Sequence, residues 1–127
     1  MGCDINLFLE YKSPITNEWS VFGHGYYMPR NYEMFAKMAG VRSEKQEIIF
    51  LPKGFPDNVT EYVNEECEKY KNECHDLSWL SKEEFEFCIS HYKNSPIDII
   101  EYRAILASME IFEKNKIETR IVFWFVY

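Results

Sequence analysis

No Gly-x-Ser-x-Gly elbow, phosphate-binding loop or dinucleotide-binding glycine cluster occurs in this sequence, and five glycines in 127 residues leave little material for one. The best-marked hydrolase, NTPase and nicotinamide-enzyme classes are thereby set aside. No stretch approaches the roughly 18 apolar residues of a membrane span, and the first residues lack the basic segment and apolar core of a secretion signal. Lys and Arg number 14 against 21 Asp and Glu, a formal charge of -7, whereas a protein that binds phosphate backbones needs clustered cations. Nucleic acid and membrane are therefore not expected partners, and the cytoplasm is the expected compartment.

Cysteine is also sparse. Cys3, Cys67, Cys74 and Cys88 are expected to be reduced thiols, because a chain of this length with 46% apolar residues needs no disulfide framework. Met1-Gly2-Cys3 has the look of a lipidated start, but Asn6 stands where a myristoylation signal requires Ser or Thr. Cys67, Cys74, His75, Cys88 and His91 match no paired-knuckle spacing, and Cys67 and Cys88 sit where helical core stripes need small apolar groups. No metal and no cofactor are expected. A nucleophile with its base would have to be assembled from His24, His75 or His91, and nothing local supports one, so no catalytic residue is assigned.

Aromatics, by contrast, are abundant: nine Tyr, ten Phe and three Trp make 17% of the chain, enough to build much of a core or an interface from rings. The apolar and charged fractions suit one globular domain over 1–127. Residues 4–12 alternate, with Ile5, Leu7, Leu9 and Tyr11 on one face and Asp4, Asn6, Phe8 and Glu10 on the other, which predicts a strand. Turn residues 13–18 and Trp19-Ser20-Val21-Phe22 predict its hairpin partner.

Asn31 and Gly40 bracket a short helix as cap and stop. The stretch 41–56 reads equally as strand or extended loop. A second helix is predicted from Asp57 or Asn58, carrying Val59, Tyr62, Val63, Cys67 and Tyr70. Ser81-Lys82-Glu83-Glu84 is a capping box that opens a third, with Leu80 and Phe85 as its staple. Ser95-Pro96 opens the longest, with Ile97, Ile100, Ala104, Ile105, Met109 and Phe112 on its buried side. Ile117 to Tyr127 predicts a last strand, covered on both faces and paired with the first.

The expected fold class is α+β: a small antiparallel sheet, formed by the N-terminal hairpin and the C-terminal strand, with about four helices packed on one face. The other face then shows Asp4, Asn6, Phe8 and Glu10 beside Arg120 or Trp124, meeting solvent or a partner subunit. A terminal strand as apolar as this one needs cover on both faces, which predicts a homo-oligomer, most simply a dimer.

Met-Gly-Cys-Asp-Ile at the start, Asn31-Tyr32 through Ala39-Gly40-Val41-Arg42, Pro52-Lys53-Gly54-Phe55-Pro56-Asp57, His75 to Leu80, and Ile121-Val122-Phe123-Trp124-Phe125 stand together along nearly the whole chain. In these segments the chain resembles a family of small proteins encoded by tailed bacteriophages and prophages. Members begin Met-Gly-Cys-Asp-Ile-His and carry a His-Ser-x-Ser-Trp-Leu motif; this chain departs with Asn6 for that His and with Asp76 after His75. The resemblance implies a phage origin, the infected host cytoplasm as location, and a role in host takeover or counter-defence rather than in virion building.

One constellation suits a ligand. Arg30, Asn31 and Tyr32 stand at a helix start, Arg42 follows its end, and His75, Ser78 and Trp79 stand at another expected loop-to-helix junction. Helix-start amides and Arg favour a phosphate, and Tyr or Trp can stack on a base. Asp4, Asn6 and Arg120 are secondary candidates on the sheet. The function expected from these features is sequestration, without catalysis, of a small nucleotide-derived host immune signal of the cyclic nucleotide or cyclic ADP-ribose type. An acidic inhibitor that covers a host enzyme, and an enzyme that degrades the signal, are the alternatives.

Overall fold

The computed structural model describes residues 2–127. The alternation at the start becomes strand β1 (Asp4–Lys12), which turns back through β2 (Trp19–Val21) and then pairs with the two-residue β3 (Tyr26–Tyr27). Helices α1 (Tyr32–Ala39) and α2 (Glu61–Glu68) follow, then β4 (Cys74–Ser81), α3 (Lys82–Ser90), α4 (Ile100–Lys114) and β5 (Thr119–Val126). Strand order is β2-β1-β5-β4 with β3 also on β1, and every pairing is antiparallel. The α+β class and the pairing of last strand with first stand as expected. Among the described residues no helix is long and apolar enough to cross a membrane.

Two cores share the sheet. On one face Ile5, Leu7 and Leu9 of β1 and Ile121, Phe123 and Phe125 of β5 meet Met34, Phe35 and Met38 of α1, Phe85 and Cys88 of α3, and Tyr102, Ile105 and Met109 of α4. On the other, Phe8, Val122 and Trp124 meet Val63 and Cys67 of α2, with Phe55, Val59 and Tyr70 packed around them. The register places Asp4, Asn6, Phe8 and Glu10 opposite Val126, Trp124, Val122 and Arg120, the polar and aromatic mixture that the alternation predicts. Three helices therefore cover one face and α2 the other, which corrects the placement of all helices on a single side. Much of the second face is covered by the chain itself, through α2 and the residues packed around it.

Local signals explain most helix ends. Asn31 Oδ1 accepts from Met34 N at 3.0 Å, and Gly40 takes φ 68° and donates its N–H to the Ala36 carbonyl, closing α1. Ser81 and Glu84 form the expected capping box on α3. Helix α2 starts later than expected: Thr60 is its cap, and Asn58 is engaged elsewhere. Pro96–Ile99 form a 3-10 turn before α4, whose buried residues are Tyr102, Ile105, Leu106 and Met109. Ile97, Ile100 and Ala104 face out, a correction to the predicted stripe.

The stretch 41–56 holds no regular strand or helix. Phe50 N donates to the Lys37 carbonyl at 2.9 Å, Lys53 N to Ser78 Oγ at 3.0 Å and Gly54 N to the Leu77 carbonyl at 2.8 Å. The segment thus runs from α1 to the free side of β4, lining an edge that would otherwise stand open.

Candidate functional site

His75, Ser78 and Trp79, expected at a loop-to-helix junction, lie instead in the edge strand β4, with a bulge between His75 and Ser78 and Asp76 at φ 53°. This correction decides where the candidate ligand residues fall. The left-handed Asp76 shifts the alternation, so His75 packs beside Phe125 of the three-helix core while Trp79 packs with the α2 core. The seven primary candidates therefore divide between the two faces of the sheet and do not line one pocket.

At the end of the sheet near Cys3, Arg30 is held by Asp4, Nε to Oδ1 at 2.7 Å and Nη2 to Oδ2 at 3.3 Å. Hydrogen bonding from Arg30 holds the Asp4 carboxyl below the usual carboxylate range. Asn31, besides capping α1, donates Nδ2 to Tyr92 Oη at 2.9 Å. Tyr32 Oη accepts from Cys3 N at 3.1 Å, and the Arg42 guanidinium lies 5.3 Å from the Tyr32 ring centre and 5.5 Å from that of Tyr127. His75 stacks obliquely on Tyr127 at 3.9 Å and its Nδ1 lies 2.6 Å from Asp76 Oδ2. This is the orienting half of a relay, but no hydroxyl or thiol among the described residues lies within hydrogen-bond reach of the buried Nε2. Asn6, also a candidate, accepts from Tyr70 Oη at 3.2 Å on the second face.

On that second face lies a cleft of about 470 Å³ between segment 53–58 and the sheet, lined by Lys53, Phe55, Asp57, Asn58, Trp79 and Arg120. Trp79 is half-buried, and Lys53 Nζ sits 4.0 Å from its ring centre while also pairing with Glu84. At the back of the cleft Arg120 is 5% exposed: Nε donates to Glu10 Oε1 at 2.7 Å, Nη1 to Asn58 Oδ1 at 2.8 Å and Nη2 to the Asn58 carbonyl at 3.1 Å. Its guanidinium lies 3.8 Å from the Trp19 ring centre, and Glu10 Oε2 accepts from Thr60 N at 3.0 Å. Arg120 thus anchors the cleft wall rather than projecting into solvent. Ser78 is fully buried and paired with Phe123, on the three-helix side of the sheet, and its Oγ accepts from Lys53 N at 3.0 Å.

Burial raises all four thiols above their ordinary range, Cys67 and Cys88 to about 12, so each stays protonated near neutral pH and is a poor nucleophile. Among the described residues no group of three or more His, Cys, Asp or Glu stands in a metal-holding arrangement. Lys53, Asn58, Trp19 and Tyr127 belong to these sites yet were not among the sequence candidates. Lys53 sits in the Pro52-to-Asp57 loop, where a cation between prolines and a glycine was a signal available to find it. Comparisons of this chain with protein families, with curated proteins and with solved structures return no match.

Proposed function

We propose that the protein is a non-catalytic binding module that takes up a small nucleotide-like ligand in the cleft between segment 53–58 and the sheet. The observation that carries the reading is the Lys53 ammonium held 4.0 Å over the centre of the half-buried Trp79 ring, in a cleft of about 470 Å³. An indole face accepts a base by stacking, and a lysine beside it meets the phosphate as a point charge. Asp57 and Asn58 are exposed on the facing wall and supply acceptors for ribose hydroxyls. The cleft falls within the usual size range of small-molecule sites.

On this reading a bound phosphate draws Lys53 away from Glu84 and the base replaces it over Trp79. The protonated thiols and the lack of a hydroxyl or thiol beside His75 Nε2 favour holding a ligand over cleaving it. The resemblance to small phage proteins supports a biological role in removing a host immune signal.

Isothermal calorimetry against cyclic nucleotides and cyclic ADP-ribose isomers tests the proposal. One ligand is expected to bind at micromolar concentration, and Trp79→Ala and Lys53→Ala each weaken it at least tenfold, the equivalent of about 1.4 kcal/mol, with far-UV dichroism unchanged. The ligand recovered after denaturation is expected intact; a cleaved product would make the protein an enzyme. Absence of binding across the panel would remove the proposal.

A further inference from the structure

We infer that α4 carries a self-association surface, by which two copies of this chain pack antiparallel through the outer side of that helix. Opposite its buried side the helix presents Ile100, Ala104, Ala107 and Ile111, spaced four, three and four residues apart and all exposed, Ile100 at 43% and Ile111 at 62%. This is the spacing of a two-helix seam, and among the described residues no element covers it. Two alanines at its middle let a second backbone approach to about 8 Å, with the larger isoleucines closing the ends.

The pattern is self-complementary in one sense only. In an antiparallel pair related by a twofold axis, Ile100 stands opposite Ile111 of the second copy and Ala104 opposite Ala107, so large meets large and small meets small. Arg103 and Glu110 are seven residues apart and lie on the same flank of the helix to within about 20°. The twofold brings Arg103 of each copy level with Glu110 of the other to within about 3 Å along the axis. Antiparallel packing also sets the positive end of each helix dipole beside the negative end of its mate. Beside the seam a mostly apolar groove of about 220 Å³ runs between α4 and β3, where Tyr27 is 80% exposed, and the second copy gains further area there.

A helix about 22 Å long offers less than the roughly 800 Å² per partner of a standard interface, so a micromolar dissociation constant is expected. Sedimentation velocity on the full chain under reducing conditions, from low micromolar to submillimolar protein, reads the equilibrium. The mass of one chain is expected at the dilute end and of two at the concentrated end. Ala107→Glu, at an exposed helical site, is expected to remain single throughout with unaltered dichroism and melting. Arg103→Glu alone and Glu110→Arg alone weaken association at least tenfold, and the double exchange restores it. A wild-type chain that stays single at every concentration, an Ala107→Glu chain that still pairs, or a double exchange no better than either single change would each overturn the inference.

Discussion

Arg120 shows how much one residue holds together. Its guanidinium joins β5 to Glu10 of β1 and to both the side chain and the carbonyl of Asn58, while the Trp19 ring lies over it. Arg120→Met leaves Glu10, which is 0% exposed, as a buried carboxylate without its cation, a loss of about 3 to 5 kcal/mol. Adding Glu10→Gln is expected to return part of that loss, and urea unfolding of the two variants measures both. A single variant as stable as wild type would show that the pair contributes nothing. The chemistry of Arg120 and Trp79 was legible in the sequence, but their shared cleft was not. It depends on the β4-β5-β1 register and on where segment 53–58 returns, and neither is a local property of the chain.

Elements whose ends carry their own chemistry were the most legible. The start of α3 is one: Ser81 Oγ accepts from Glu84 N at 3.2 Å and Glu84 Oε1 from Ser81 N at 2.9 Å, while Lys53 also pairs with Glu84. Ser81→Ala is expected to cost about 1 kcal/mol in urea unfolding. Burial alone would raise the Glu84 carboxyl, but its bonds to Lys53 and Ser81 outweigh that and hold it below the usual range. The stability this group contributes is therefore complete above the ordinary carboxylate pKa, near pH 4, and is lost as the pH falls further. An acid titration of Glu84→Gln is expected to show a shallower loss over that window than wild type. Strand β4 was not legible for the opposite reason. Its polar composition and the left-handed Asp76 erase the alternation that marks a strand. Helix α4 was legible as a helix but not in its facing, because isoleucines occur on both of its sides and only packing selects between them.

At the scale of the whole molecule, β5 is the shared wall of both cores: Phe123 is buried against α1, α3 and α4, and Trp124 against α2. Phe123→Ala and Trp124→Ala are each expected to cost about 3 to 5 kcal/mol. Both are expected to shift one transition, coincident by fluorescence and far-UV dichroism; two separated transitions would show that the cores unfold independently. The expectation of a dimer drawn from the apolar terminal strand loses its premise here, since the chain's own α2 and segment 53–58 supply the missing cover. The proposed self-association rests on α4 instead.

The place of β5 between β1 and β4 also bears on the order in which the chain leaves the ribosome. Residues 119–126 emerge after every other element, yet β1 and β4 touch each other only through them. Until they appear, β1 and β4 lack the strand that joins them, and β1 must wait across more than a hundred residues for the partner at Tyr11↔Thr119 and beyond. Closure by so distant a strand is slow, so the nascent chain spends its synthesis with both cores short of the rings that β5 supplies.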